Sequence, residues 1–370
     1  MSETVDAIVI GGGIAGVAAA ARLAEQGLAP LVFEAEDQLG SHATGRSAAI
    51  RLDNYGPTGI RALTRASKAE LSSPDEEFWP AALLEPRGHL LLARPGEEGL
   101  LDDILAIGSG IEEIPVHTTK SLVPIIDVAA IARASYEKDA QDIDVETLLR
   151  GFARLLRSRG GRIETGVRVT AIERSRANWR VETRDKNVEA PILINAAGAW
   201  GDEIARMAGI HPLGLVPKRR SAAIVPVPGE VNRWAFFGSV AEDWYARPIG
   251  VDKLMVSPAD AEPVSPHDAW ADDMVLAEGI ERFAQMITIE INRVEGSWAG
   301  LRSFVEDGEP VIGFDPAAEG FFWLVGQGGY GIQTAPAIAR LAASLITGKA
   351  EPDFPASLID TVSPGRFSKG

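Results

Sequence analysis

The sequence predicts an α/β protein with two domains, and three observations support this fold class. An apolar run that has the character of a strand leads into Gly11-x-Gly13-x-x-Gly16, and an alanine-rich, helix-like segment follows. A second apolar run, residues 30–33, precedes an acidic residue 18 positions after the last of these glycines. Between residues 211 and 305, strand-like runs alternate with proline, glycine and aspartate turns. We therefore expect a Rossmann-like domain and a second α+β domain with a mixed or antiparallel sheet.

Each residue of the glycine-rich segment has a physical task. Gly11 permits a tight turn, Gly13 lets backbone N–H groups approach a pyrophosphate, and Gly16 lets the helix pack closely on the strand. The N-terminus of that helix presents partial positive charge to the phosphates. Glu34, the acidic residue after the second strand, would accept hydrogen bonds from a ribose. The segment thus predicts a dinucleotide-binding site.

The first domain is predicted to be discontinuous, because its signatures lie at both ends of the chain. A chain of 370 residues is long enough for two domains with large cores. We expect residues 1–70, 141–210 and 306–370 to form the dinucleotide-binding domain. Residues 71–140 and 211–305 are expected to form the substrate-binding domain.

Periodicity and capping residues predict the elements of the first domain. The predicted helices are residues 14–26, a helix from residue 145 with Asp144 as its N-cap, and residues 332–346. The predicted strands are residues 162–164, 167–173, 179–183, 192–195 and 321–325. The strand at 162–164 is expected to extend the dinucleotide-binding sheet, and residues 40–54 are expected to form a long loop.

Composition and charge argue against several kinds of site and partner. A net charge of -16 at pH 7 disfavours binding to nucleic acid or an anionic membrane. The chain has no cysteine, which excludes disulfides and cysteine-ligated metals, and it has no metal-ligand constellation. We recognise no signal peptide, and no window approaches the about 18 apolar residues of a membrane-spanning helix. We therefore expect a cytoplasmic protein that does not span a membrane and binds neither metal nor nucleic acid.

Two further segments carry the small residues that a ligand site needs. Asn195-Ala-Ala-Gly-Ala-Trp200 follows an apolar strand, and ligands bind at the carboxyl ends of such strands in open parallel sheets. In Gln327-Gly-Gly-Tyr-Gly-Ile-Gln-Thr334 the glycines free backbone N–H groups, and the following helix adds its positive N-terminal end. Such a turn can hold negative charge on a ligand ring without a charged side chain.

Taken together, these segments resemble the FAD-dependent D-amino-acid oxidase superfamily, which includes glycine oxidase and monomeric sarcosine oxidase. The resemblance covers nearly the whole chain in order. It is tightest to the bacterial D-arginine dehydrogenase branch, over four segments. These are His42–Ala49, Pro217–Ser221, Trp298–Phe304 and Gln327–Thr334.

The resemblance implies noncovalent FAD. Some relatives attach FAD covalently to a histidine, but the sequence around His42 does not match that attachment pattern. The implied cofactor-binding residues are Gly11, Gly13, Ile14, Ala15, Gly16, Glu34, Ala35, Gly45, Arg46, Ser47, Ala48, Ala49, Val169, Ala197, Gly198, Trp200, Arg302, Gly329, Tyr330, Gly331, Ile332 and Gln333.

The resemblance also implies how an amino acid substrate would bind. Arg302 is the leading ligand for the carboxylate, because a guanidinium forms two parallel hydrogen bonds with it. Arg220, Tyr245 and Tyr55 would assist, and the carbonyl of Gly329 would accept from the substrate amine. The implied reaction is hydride transfer from Cα to flavin N5, and the imino acid then hydrolyses to a 2-oxo acid and ammonia. From the residues alone, Arg302 could instead form an interdomain salt bridge, and Arg220 could belong to a solvated basic patch.

Three positions depart from the D-arginine dehydrogenase pattern. That branch has an acidic residue where this chain has His89, a histidine in place of Ile50 and a threonine in place of Leu52. If these positions correspond, the side-chain pocket is more apolar and lacks its anion. We therefore expect a preference for neutral or hydrophobic D-amino acids over D-arginine.

Other functions on the same fold remain open from sequence. The substrate could be glycine, a sarcosine-type secondary amine or a 2-hydroxy acid, since Arg302 would serve each of them. A flavin-holding subunit of an electron-transfer complex is a further alternative, although such a subunit has no need of a carboxylate clamp. The electron acceptor, oxygen or a quinone, is left open.

Overall fold

The computed structural model describes residues 3–367 and contains nine α-helices within that range. They are α1 (Ile14–Glu25), α2 (Thr58–Ser72), α3 (Glu98–Ile107), α4 (Thr119–Leu122), α5 (Val145–Ser158), α6 (Gly201–Met207), α7 (Asp273–Ala284), α8 (Gly331–Thr347) and α9 (Ala356–Val362).

The same residues form twenty-one β-strands. They are β1 (Glu3–Thr4), β2 (Ala7–Ile10), β3 (Pro30–Phe33), β4 (Ile50–Arg51), β5 (Leu84–Pro86), β6 (His89–Ala93), β7 (Ile111–Ile114), β8 (Arg133–Glu137), β9 (Gln141–Ile143), β10 (Arg162–Glu164), β11 (Val169–Ser175), β12 (Asn178–Thr183), β13 (Asn187–Ala190), β14 (Ile192–Asn195), β15 (Val216–Pro226), β16 (Phe236–Ser239), β17 (Tyr245–Ile249), β18 (Lys253–Ser257), β19 (Gly296–Phe304), β20 (Val311–Phe314) and β21 (Phe321–Val325).

A six-stranded sheet, the cofactor sheet, has the order β10-β3-β2-β14-β21-β20. Its strands are parallel except β20, so β2, α1 and β3 form a βαβ unit. Strand β10 pairs with β3, which confirms that residues 162–164 extend this sheet. A four-stranded sheet has the order β1-β13-β12-β11. Its buried residues share a hydrophobic core with residues of β2, β3, β14 and β21 from the cofactor sheet.

An eight-stranded sheet, the substrate sheet, has the order β19-β15-β18-β17-β16-β6-β8-β7. All its neighbouring strands are antiparallel except the pair β16 and β6. A small antiparallel sheet, β4-β9-β5, completes the set. The predicted α/β class with a second, mixed sheet is therefore confirmed, whereas the domain limits stay a prediction.

The helices of the cofactor sheet form where the sequence pattern expects them. In α1, four consecutive alanines, Ala18–Ala21, are fully buried, and their small side chains let the helix pack closely against its neighbours. Helix α5 is capped by Asp144, whose carboxylate accepts from the backbone N–H of Thr147 at 2.9 Å. Its leucines and Phe152 are buried on one face.

The structure corrects several predicted boundaries and adds elements. Helix α1 ends at Glu25 and α8 runs one residue further at each end than predicted, while β11 begins at Val169 rather than at residue 167. The expected loop at 40–54 contains the short strand β4. The strand-rich segment 211–305 also contains α7, whose amphipathic pattern buries Leu276 and Phe283. Among residues 3–367, even the longest helices lack the apolar length that crossing a membrane requires.

Candidate active site

A long cavity of about 300 Å³, the cofactor cleft, lies at the carboxyl ends of β2, β3 and β14. At its end near α1, Gly11 has a φ of +118°, and a Cβ there would lie 2.4 Å from the carbonyl oxygen of Ala196. Only glycine fits this turn. Helix α1 begins directly after Gly13, which has no side chain to cap it, so its N-terminal end is available to an anion except at the N–H of Ile14, which donates to Thr44.

Glu34 is fixed at the edge of the cleft by two backbone groups. Its carboxylate accepts from the N–H of Gly12 at 2.6 Å and from the N–H of Glu36 at 2.9 Å. These bonds use part of its acceptor capacity and hold it where the cleft passes β3. Sequence reasoning missed Thr44, whose buried hydroxyl accepts from the N–H of Ile14 at 3.0 Å. A threonine in a polar loop gives no signal for such a role.

Most of the predicted cofactor residues line the cleft. The exceptions are Gly16 and Gly45, which line neither cavity of the site, and Ala49, Tyr330 and Gln333, which line the second one. The residues in the cleft are Gly11, Gly13, Ile14, Ala15, Glu34, Ala35, Arg46, Ser47, Ala48, Val169, Ala197, Gly198, Trp200, Arg302, Gly329, Gly331 and Ile332.

The second cavity, of about 360 Å³, is the substrate cavity. It is lined by all eight residues that the sequence predicted for substrate binding. These are Ile50, Leu52, Tyr55, His89, Arg220, Tyr245, Arg302 and Gly329. The two cavities adjoin, because seven residues line both of them: Ser47, Ala48, Arg220, Tyr245, Arg302, Gly329 and Ile332.

Two arginines meet at this junction. Arg302 on β19 donates to the hydroxyl of Tyr245 at 3.4 Å, and its guanidinium packs against Gly329, where a Cβ would come within 3.0 Å of Nη1. The guanidinium of Arg220 on β15 lies 6.0 Å from the ring centre of Tyr245. Within residues 3–367, neither arginine has a carboxylate within 4.0 Å. Arg219, which precedes Arg220 in the sequence, by contrast pairs with Glu262 at 2.6 Å.

A family model described as DAO, FAD dependent oxidoreductase, matches residues 6–345. The chain belongs to this family. Its cofactor is therefore FAD, and the superfamily predicted from sequence is confirmed. The tighter resemblance to the D-arginine dehydrogenase branch stays a prediction.

Individual relatives are similar to this FAD-dependent oxidoreductase over nearly its whole length. It is 26% identical to glycine oxidase of Bacillus licheniformis, with 94% of each chain covered. It is 25% identical to human mitochondrial sarcosine dehydrogenase, covering 96% of this chain but 41% of that one. Among solved structures, L-proline dehydrogenase from P. horikoshii superposes with a TM-score of 0.85 at 23% identity, covering 100% of this chain and 99% of the other.

The residues of the FAD-dependent oxidoreductase fit the cofactor. The cleft carries the glycine turn at one end and, at the other, α8, which begins at Gly331 without a side-chain cap or an acidic residue in its first turn. Gln327 lines the cleft, and its side-chain amide nitrogen is buried and has no partner in the described part of the chain. A buried donor of this kind is costly unless a ligand accepts from it.

Electrostatics at the junction favour an anion. Burial raises the pKa of Tyr245, but the charges of Arg302 and Arg220 outweigh burial and hold it below its ordinary value. Burial, and then the charge of Arg302, lower the pKa of Arg220. Burial raises the pKa of Tyr55 above its ordinary value. Since neither guanidinium group has a carboxylate partner in the described part of the chain, a substrate carboxylate could supply the compensating charge.

One residue of the substrate cavity, Glu137, contradicts an expectation from the sequence. The pocket was expected to lack an anion, but Glu137 on β8 lines it and is only 6% exposed. Burial raises the pKa of Glu137 to about 7, and burial lowers the pKa of His89 to about 4. Sequence reasoning missed Glu137 because Tyr136-Glu137-Lys138-Asp139 looks like an ordinary charged segment.

Backbone strain is concentrated at the same cavity. Four non-glycine residues between 3 and 367 have a positive φ, and three of them line the substrate cavity. These are Ala49 (φ 46°), Glu242 (φ 53°) and Ala259 (φ 54°). Such conformations persist where the surrounding structure imposes them, and they cluster at ligand sites.

Proposed function

We propose that this protein oxidises an α-amino acid at a carbon that bears the amine, and that this amine can be primary, as in glycine, or secondary, as in sarcosine and proline. The observation that carries the proposal is the pair Arg220 and Arg302, which have no carboxylate partner among residues 3–367 and line the junction of the cofactor cleft and the substrate cavity. A substrate carboxylate bound there lies beside the end of the cleft where α8 begins.

The carboxylate clamp sets the orientation of the substrate. A guanidinium can bind a carboxylate with two parallel hydrogen bonds, and the hydroxyls of Tyr245 and Tyr55 can each donate another. With the carboxylate fixed, rotation about one bond brings the amine toward the carbonyl of Gly329, which would accept its N–H. Placing the reacting carbon in this way can supply much of the rate acceleration.

Bound FAD supplies the acceptor for the hydride that leaves the amine-bearing carbon. The chain's part is to bind the carboxylate, orient the amine and limit access of water to the junction. The resulting imine takes up water and yields a 2-oxo acid with ammonia, or with a primary amine when the substrate is an acyclic secondary amine. With proline the imine is cyclic, so hydrolysis opens the ring and the amine stays in the same molecule as the new carbonyl. No side chain is required to remove the Cα proton as a base.

The three relatives favour a general α-amino acid or secondary amine as substrate over a substrate restricted to D-amino acids. Their names refer to glycine, sarcosine and L-proline, none of which is a D-amino acid. Beyond the clamp, the cavity has room for a side chain or an N-substituent, since it extends past Ile50 and Leu52 to His89. The preference for neutral or hydrophobic D-amino acids thus stays a prediction, and so do noncovalent attachment of FAD and a cytoplasmic location.

The test is anaerobic mixing of the holoenzyme with a panel of compounds while flavin absorbance is followed. The panel contains glycine, sarcosine, both enantiomers of proline, leucine and arginine, and the matching 2-hydroxy acids. Bleaching by amino acids, but not by 2-hydroxy acids or by amines without a carboxylate, supports the proposal. Equal bleaching by pyrrolidine and proline, or bleaching by 2-hydroxy acids alone, contradicts it. Re-aeration then separates oxygen from a quinone as acceptor.

A further inference from the structure

One row of side chains crosses the substrate sheet away from the arginine clamp. Ile111 on β7, Glu137 on β8, His89 on β6 and Phe236 on β16 are in-register neighbours. Directly opposite residues of neighbouring strands point to the same face of a sheet. All four residues line the substrate cavity, and strand order puts Glu137 on the side away from the clamp, with only β7 beyond it.

Glu137 has acceptor capacity that the protein does not use. Its carboxylate accepts from the side-chain amide of Asn54 at 3.0 Å and from the backbone N–H of Asp53. A carboxylate offers about four acceptor positions, so about two remain. The nearby cation Arg51 already pairs with Asp53 at 2.7 Å. In residues 3–367, no cationic side chain lies within 4.0 Å of Glu137.

We propose that Glu137 determines specificity by binding a second, positively charged group of the substrate. The substrate is then an α-amino acid with a distal ammonium group, in place of the neutral or hydrophobic side chain that the sequence predicts. The inference rests on the proposed function, because the clamp must hold the α-carboxylate. The cavity then has opposite charges at its two ends, and apolar side chains such as Leu52 and Leu91 line the space between.

The span between the two ends suits such a molecule. The strands that carry Tyr245 and Glu137, β17 and β8, are three strand spacings apart, roughly 14 Å between their backbones at about 4.8 Å per spacing. From the carboxylate carbon of extended lysine to its ammonium nitrogen is roughly 7.5 Å, six bonds of about 1.5 Å in zigzag. A hydrogen bond of about 2.8 Å at each end brings the total to roughly 13 Å.

The surroundings of Glu137 would accept a cation. A carboxylate that is buried without a charged partner is unstable relative to one that has a partner, because burial removes its solvation. Directly opposite Glu137, His89 is uncharged at neutral pH, since burial lowers its pKa to about 4, and it therefore does not repel a cation. At the mouth, Glu242 adds a second carboxylate to the lining.

The first test measures equilibrium binding with two compounds that lack an α-amine and so cannot undergo the proposed reaction. The probes are 6-aminohexanoate and hexanoate, titrated into the holoenzyme while the flavin spectrum or heat is recorded. We expect 6-aminohexanoate to bind at least tenfold more tightly. Glu137→Gln should remove this difference, since the amide can still accept from Asn54 but has no charge. Glu112→Gln, which removes an exposed charge on β7, should preserve it.

Hexanoate binding as tightly as 6-aminohexanoate in the wild type would overturn the inference. So would an undiminished preference in Glu137→Gln. A merely structural role for Glu137 would affect both probes alike in a Glu137→Ala variant, and would leave their ratio in Glu137→Gln unchanged.

The second test is turnover of both enantiomers of lysine and of norleucine, which has the same shape without the ammonium. We expect kcat/KM to favour lysine at least tenfold in the wild type and norleucine in Glu137→Gln, mainly through KM. If 6-aminohexanoate binds as expected but no amino acid bleaches the flavin, the Glu137 site stands and the proposed function fails. If glycine or proline bleaches the flavin while lysine does not, this inference fails and the proposed function stands.

Discussion

The cofactor cleft and the substrate cavity are built in opposite ways. The cleft takes much of its lining from short, continuous segments with glycine and alanine, such as residues 10–15 and 40–48, and presents backbone groups. The substrate cavity takes individual side chains from seven strands of the substrate sheet and from loops that lie far apart in sequence. A shared cofactor can be bound by a conserved chain geometry, whereas the substrate is selected by a few side chains that can change one at a time.

The largest expected effect concerns the backbone of the cleft. Gly11→Ala should lower FAD affinity at least 100-fold, about 2.7 kcal/mol, because the new Cβ would collide with the backbone of Ala196. The measurement is FAD content after purification and FAD titration of the apoprotein. Gly96→Ala is the matched control, since Gly96 also has a positive φ (96°) but nothing within 4 Å of its Cβ. Equal FAD affinity in both variants would mean that close backbone approach does not define the cleft.

The next effect separates substrate binding from cofactor binding. Arg302→Met should lower kcat/KM about 1000-fold, or about 4 kcal/mol, because a substrate carboxylate would lose its charged partner. FAD should remain bound, as flavin absorbance would show. Arg219→Met, which removes an arginine that pairs with Glu262 and lines neither cavity, should change kcat/KM less than threefold. Loss of FAD from Arg302→Met together with activity would instead make Arg302 part of the cofactor site.

The smallest effect is the pH dependence that burial of His89 imposes. Its pKa in the folded protein, about 4, lies below its ordinary 6.5, so the unfolded chain binds a proton first as the pH falls. Stability is therefore lost between pH 6.5 and 4, by up to about 2 kcal/mol at pH 5. Glu137, whose pKa is raised from its ordinary 4.5 to about 7, acts with the opposite sign between pH 7 and 4.5.

The measurement for His89 is the free energy of unfolding in urea at pH 7 and pH 5. His89→Gln should lose less stability between these two values than the wild type, whereas His117→Gln, at an exposed position, should behave like the wild type. An identical pH dependence in the wild type and His89→Gln would show that the ring is well solvated in the cavity.

Sequence patterns predicted the cofactor side of the molecule well because its signals are local. Strands β3, β10, β14 and β21 have the expected bounds, and Asp144 caps α5 as expected. For the second domain, the sequence predicted a mixed or antiparallel sheet but not its strand order, and it did not predict α7. The strand pairs of that sheet join residues such as His89 and Phe236, which are far apart in sequence, so no local pattern specifies them.

By itself the sequence determined the dinucleotide turn at Gly11 and Gly13, because a tight turn and a helix start depend on neighbouring residues. The resemblance it carries pointed to Arg220 and Arg302. Only the tertiary structure decided that Glu137 lies in the same cavity as these arginines. The physical reason is that strand order and register place a side chain from β8 in the same cavity as side chains from β15 and β19. These strands are far apart in sequence, and a local pattern of apolar and polar residues does not reveal which distant strands pair.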